Sequence, residues 1–136
     1  MFIAAAAATT CLMRAAVADI IAADARAIPV GLLEECGAIA AKNGFAPRAA
    51  ALDAGLAVLT APGSPFTASM LRDIELGGRI ESDHIIGDLL RRTPDAQAPL
   101  LSTAYAHLRA YEERRKREAS SREASSREAA LREASG

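Results

Sequence analysis

Apolar residues recur along the first 113 positions at helical spacing, and nowhere do they alternate with period two over a useful length. Phe2 to Met13 is apolar with no polar face, which predicts a helix buried all round. Ala15 to Ala27 continues in helical composition, with Val17, Ile20 and Ile21 on one side and Asp19, Asp24 and Arg26 on the other. Pro29 suits the first turn of a new helix, where its missing N–H costs nothing. That helix carries the stripe Leu32, Leu33, Cys36, Ile39, Ala40 and stops at Asn43-Gly44. Ala49 to Thr60 is predicted next, followed by a loop at Pro62-Gly63-Ser64-Pro65. Ser69 to Leu76 reads as a short helix ended by Gly77-Gly78, and Ile80 to Arg92 as a longer one with Ile85, Ile86, Leu89 and Leu90 inward. After a second Pro-containing loop at Thr93 to Pro99, Leu100 to Arg117 has the stripe Leu101, Ala104, Leu108, Tyr111. The predicted fold class is all-α, one helical domain of six to seven helices over residues 1–113.

Residues 114–136 differ in kind. From Arg117 the chain reads REASS, REASS, REAAL, REASG, a tandem repeat of period five. It sets Glu118 before Arg122, Glu123 before Arg127 and Glu128 before Arg132, the favourable i, i+4 order on a helix. Five residues do not return to one helix face, so no apolar seam forms. The tail is expected to be a solvated helical extension or disordered.

Composition narrows the function classes. About half of the residues are hydrophobic (51%), but much of that fraction is alanine, which buries little area, so a thin core of closely packed helices follows. A formal net charge of −1 gives no general attraction to nucleic acid. Cys11 and Cys36 form no Cys-x-x-Cys pair, which argues against a metal knuckle and a redox dithiol; two buried, reduced thiols in a cytoplasmic protein are expected instead. No positive stretch precedes Phe2, and Arg14 and Asp19 interrupt the apolar run, so a buried helix is favoured over a signal peptide or membrane span.

One segment carries more than composition. Ser69 to Gly87 reads SMLRDIELGGRIESDHIIG, with Ser69, Met70, Asp73, Gly78, Arg79, Glu81, Asp83 and Gly87 in fixed order. This resembles the C-terminal signature of the ketopantoate reductase (2-dehydropantoate 2-reductase) family, whose enzyme serves pantothenate biosynthesis. CLMRA at Cys11 to Ala15, LLEECGAIAAKNGFAP at Leu32 to Pro47 and APLLSTAYAHLRAYE at Ala98 to Glu112 resemble the family's other helices, so the likeness spans Phe2 to Glu113. It implies a two-domain NADPH-dependent reductase: a Rossmann domain comes first, a helical substrate-binding domain follows, and hydride passes to the keto carbon of a small 2-oxo acid in the cleft between them. This sequence holds no G-x-G-x-x-G. Its lysines, Lys42 and Lys116, do not stand where the resemblance places the catalytic lysine, just before the first helix. The chain is therefore expected to lack the cofactor half, as a truncated, split or mis-started gene, and to be inactive alone.

The resemblance makes Glu81 the candidate catalytic residue, a carboxylate that hydrogen-bonds the reacting end of the substrate. From composition alone, a solvated glutamate favourable to a helix dipole is the simpler reading. Ser69 is the candidate substrate-binding residue, contacting the carboxylate; its structural alternative is the N-cap of the following helix, and the two roles can coexist. Both require the Ser69 and Glu81 helices to converge on one cleft. Asp73 and Asp83 are expected to be structural, through caps and links to Arg72 or Arg79, with Arg79 in a surface ion pair. His84 and His107 are read as helix residues, His107 on the surface. No cofactor or metal contact is assigned within the chain. Expected partners are a 2-oxo acid, a Rossmann domain in trans and a second copy of the chain. Phe66 and Ile86 stand where the family has asparagines, which puts ketopantoate itself in question as substrate. The alternative function is a non-enzymatic helical interaction module or decayed remnant.

Overall fold

The structure is a computed structural model that describes residues 1–92 and 97–136. It is helical throughout the described residues: α1 (Phe2–Met13), α2 (Val17–Ala22), α3 (Ala27–Lys42), α4 (Ala49–Leu59), α5 (Ser69–Glu75), a π-helical turn (Asp83–Gly87) running into α6 (Asp88–Arg92), and α7 (Pro99–Ser135). Most of the predicted Thr93–Pro99 loop lies outside the described residues.

The centre is α1. Every residue from Ala4 to Cys11 is buried, because α3, α5, α7 and the π-helical turn surround it. Alanine makes this arrangement possible, since small side chains let four neighbours approach one helix closely. The larger side chains come from around it: Leu32, Leu33 and Ile39 of α3, Leu59 of α4, Leu71 and Ile74 of α5, and Leu101 and Leu108 of α7. Gly31 permits one close approach, because a Cβ there would meet Leu100 Cδ1 at 2.6 Å. Both thiols are free and buried. Burial raises Cys11 to about 12 and Cys36 to about 11, so neither is a nucleophile near neutral pH.

Three boundaries differ from the sequence reading. The stretch from Ala15 to Ala27 is a short α2 isolated by two left-handed residues, Arg14 (φ 53°) and Asp24 (φ 58°); Pro29 still falls in the first turn of α3. The helix predicted from Ile80 begins at Asp83, with a π-helical turn. The last helix continues to Ser135 as one element of 37 residues, about 55 Å long. From Lys116 onward every residue of it is exposed. Glu118 reaches Arg122 and Arg114, and Glu128 reaches Arg132, but Glu123 and Arg127 form no ion pair among the described residues.

The start of α7 is capped from a distance. Leu100 and Leu101 donate their backbone N–H groups to the two carboxylate oxygens of Glu35 on α3, at 3.0 and 2.7 Å. These are donors that the first turn of a helix leaves open. Glu35→Ala is expected to lower stability by about 1–2 kcal/mol, as for the loss of a strong N-cap, with Glu35→Gln intermediate; urea unfolding of the three proteins checks this.

Candidate functional site

The signature segment divides into side chains that build the fold and side chains left free. Met70, Leu71 and Ile74 fill the core under α5. The bend from Gly77 to Asp83 is tied to successive turns of α7. Tyr111 donates its hydroxyl to the Gly78 carbonyl at 2.6 Å, Arg115 donates Nε to the Gly77 carbonyl at 3.1 Å, and the buried Ser82 donates Oγ to Glu112. Asp83 accepts from the Tyr105 hydroxyl and, at 2.8 Å, from Arg91. Gly87 has to lack a side chain, because a Cβ would come within 2.7 Å of Asp83 Oδ1 and 2.8 Å of the Tyr105 hydroxyl. Asp83 is therefore structural as expected, but its partners are Arg91 and Tyr105 rather than Arg72 or Arg79.

The hydrogen bond from Arg91, then that from Tyr105, lowers the Asp83 pKa from its ordinary 3.8 to about 2. A depressed carboxylate stabilises the fold above its unfolded pKa, and the contribution is lost as pH falls through the folded one. The advantage of the parent over Asp83→Asn in thermal melts should hold at pH 5 and shrink between about pH 4 and pH 2.

Glu81 sits in the middle of this anchored bend, and its own side chain is exposed with no bond among the described residues; only its carbonyl is used, by the Ile85 N–H at 3.2 Å. The π-helical turn that follows is a feature common at functional sites. With Arg79, Asp83, His84, Arg115 and Lys116, Glu81 lines a cleft of about 270 Å³ against α7. Arg79 forms no ion pair among the described residues, contrary to expectation. Lys116, distant from the signature in sequence, shares this cleft while paired with Glu113 at 3.3 Å.

Ser69 lies elsewhere. It is the first residue of α5, not its cap; Ala68 takes that position, and no side chain caps it. Thr10 of α1 fixes the spot, accepting from the Ala68 N–H at 3.2 Å while donating to the Ala6 carbonyl at 3.0 Å. Ser69 faces a second cleft, of about 330 Å³, lined by Phe2, Ile3, Ala6, Phe66, Arg72 and Ile85 among others. Arg72, expected in a link to Asp73, has no ion-pair partner among the described residues and lines this cleft instead; sequence reasoning missed it. Ser69 and Glu81 are thus on separate clefts, and Ile85, whose N–H bonds the Glu81 carbonyl, lines the Ser69 cleft. Ile3 (71% exposed) and Phe45 (76% exposed) leave an apolar rim beside the Ser69 cleft.

His107 departs from its surface reading. Its ring is half-buried and its Nε2 is enclosed without a partner. Burial, then Arg14 and Arg114, hold its pKa below the ordinary 6.5.

Comparison with known proteins gives this scaffold a family. The model described as ketopantoate reductase PanE/ApbA C terminal matches residues 1–112. The chain belongs to that family. The uncharacterized oxidoreductase YkpB of Bacillus subtilis (strain 168) is 33% identical over 115 residues, covering 82% of this chain and 38% of the relative. A dimeric ketopantoate reductase from Staphylococcus aureus shares the fold, with a TM-score of 0.72 and 24% identity over 84% of this chain and 42% of its own. The chain spans about two fifths of the length of each. Its all-helical architecture is that of the ketopantoate reductase C-terminal domain, and the signature's glycines and Asp83 hold the bend against α7. No helix among the described residues is long and apolar enough to cross a membrane.

Proposed function

We propose that this chain is the substrate-binding helical half of an NADPH-dependent 2-oxoacid reductase of the 2-dehydropantoate 2-reductase type, inactive without a nucleotide-binding domain. One observation carries the reading: Ser69 and Arg72 stand together on a cleft lined mostly by apolar residues. A small 2-oxo acid has the matching chemistry. Its carboxylate suits a guanidinium and a hydroxyl, and its carbon chain suits Phe2, Ala6 and Phe66. Phe66, in place of an asparagine, favours a more apolar acid than ketopantoate.

Glu81 is assigned to the reacting end of the substrate, where a carboxylate can hold the keto oxygen's incoming proton or the product hydroxyl. The reaction adds a hydride to the keto carbon and a proton to its oxygen, giving a 2-hydroxy acid. NADPH supplies the hydride. The described residues offer no strand and Gly-rich turn to cradle its phosphates, so no cofactor contact is assigned here. The apolar rim at Ile3 and Phe45 is assigned to the covering domain, which would bring the Ser69 and Glu81 clefts under one roof. Self-association and a cytoplasmic location accord with this reading.

The test is NADPH oxidation with ketopantoate and a panel of 2-oxo acids, using the chain alone and mixed with the nucleotide-binding domain of a relative. Turnover only in the mixture is expected. No turnover in a mixture whose added domain binds NADPH and associates with the chain would favour a binding module without chemistry.

A further inference from the structure

The Ser69 cleft is divided by chemistry. Its polar side chains, Thr67, Ser69 and Arg72, all come from the stretch that leads into and begins α5. The other lining elements bring only apolar residues: Phe2, Ile3, Ala6 and Ala7 from α1, and Ile85 from the π-helical turn. A ligand that fits has one polar or anionic end and a body that makes no hydrogen bond.

The rings specify that body further. The chain holds three phenylalanines and no tryptophan. Two of the three, Phe2 and Phe66, meet at this cleft, with ring centroids 6.3 Å apart and planes tilted by 51°. Both are only half-buried, so the core does not use up their faces. Phe66 is also held in place. Its carbonyl accepts the Val17 N–H at 3.0 Å, its own N–H donates to Ser64 Oγ at 3.2 Å, and Ala68 just beyond donates to Thr10. A loop fixed at these points presents its ring with little ordering cost on binding. Rings at this separation and tilt attract one another, and a third ring can join them edge to face or offset. Ala6 and Ala7 end at Cβ and leave room on the α1 side. The cleft's volume of about 330 Å³ is that of pockets holding ring-bearing ligands rather than the smallest acids.

We propose that the substrate of this cleft is an aryl 2-oxo acid, with its carboxylate on Ser69 and Arg72 and its aromatic ring against Phe2 and Phe66. The proposal rests on the assignment of the Ser69 cleft to the substrate and adds the nature of the side chain. Phe66 is then the specificity-determining residue. A hydroxyl on the substrate's side chain would lie against the two rings without a partner. An apolar pocket rejects such a group by roughly 100-fold at most, and an aryl group gains ring contacts that an aliphatic chain lacks.

The test is binding of the matching 2-hydroxy acids to the full chain, read from the backbone amide resonances of Thr67, Ala68 and Ser69. Phenyllactate, pantoate and lactate share the carboxylate and the 2-hydroxyl and differ in the side chain. Phenyllactate is expected to saturate the shifts at a concentration about tenfold or more below the other two. Phe66→Ala should bring phenyllactate to within about threefold of lactate. Phe66→Leu keeps an apolar contact with the core, so it tests the ring without risking the fold, and it should fall in between. Arg72→Gln, at an exposed position, should weaken phenyllactate and pantoate alike, by about tenfold, for the loss of a charge-assisted bond. A preference for phenyllactate of less than about threefold, a preference unchanged in Phe66→Leu, or no saturable shift at these amides with any of the acids overturns the aryl assignment. Turnover in the complemented mixture scores the reductase reading separately. Turnover that prefers ketopantoate to phenylpyruvate would leave that reading intact and sink this proposal alone.

Discussion

Glu81→Gln is expected to lower turnover of the complemented reductase by roughly 100-fold or more, the scale of a lost acid–base or transition-state contact. Its thermal stability should stay within about 0.5 kcal/mol of the parent, as for surface substitutions. The separation follows from the anchored bend. Tyr111, Arg115, Glu112 and Tyr105 hold the residues on either side of Glu81, while its carboxylate makes no bond that the fold uses. Glu112→Gln, by contrast, weakens the hydrogen bond from Ser82 and should reduce both activity and stability. Loss of less than threefold in Glu81→Gln, with the parent active, would remove Glu81 from the chemistry.

Leu108→Ala carries the largest expected effect on stability, about 2–5 kcal/mol. Leu108 is fully buried, and the alanines of α1 cannot expand into the space it leaves. Total stabilities of small domains are only about 5–15 kcal/mol, and the exposed end of α7 adds nothing to the core. The melting temperature should fall by about 10 °C or more. Leu131→Ala is the control: Leu131 is 68% exposed on the same helix and should change stability by no more than about 0.5 kcal/mol. Equal effects at the two positions would mean that α7 packs elsewhere than along its first half.

The fold was legible where packing follows local pattern. The apolar run from Phe2 to Met13 announced a surrounded helix, and the stripe Leu101, Ala104, Leu108, Tyr111 is the buried face of α7. The breaks around α2 were not legible, because Arg14 and Asp24 are not the glycines that usually mark left-handed positions. Nor was the late start after Ile80, since π-helical geometry has no clear residue signature. Partners distant in the chain escaped as well. Glu35 caps a helix 65 residues away, and Asp83 pairs with Tyr105 rather than with a neighbour.

For the candidate site, residue types carried less than the matched spacing of the signature. The family resemblance singled out Ser69 and Glu81, but only the three-dimensional arrangement separates them into two clefts and adds Arg72 and Lys116. His107 shows the same limit. Its position on α7 reads as surface, yet the residue is half-buried and shares a pocket with Arg14 from another helix end.

The most direct measurement is the steady-state kinetics of Ser69→Ala in the complemented enzyme, varying the 2-oxo acid and NADPH separately. A Ser69 cleft that holds the substrate carboxylate predicts a KM for the acid raised about tenfold, for one lost hydrogen bond to a charged group, with the KM for NADPH unchanged. An unchanged KM and kcat for the acid, in a folded and active variant, would contradict the assignment of that cleft to the substrate.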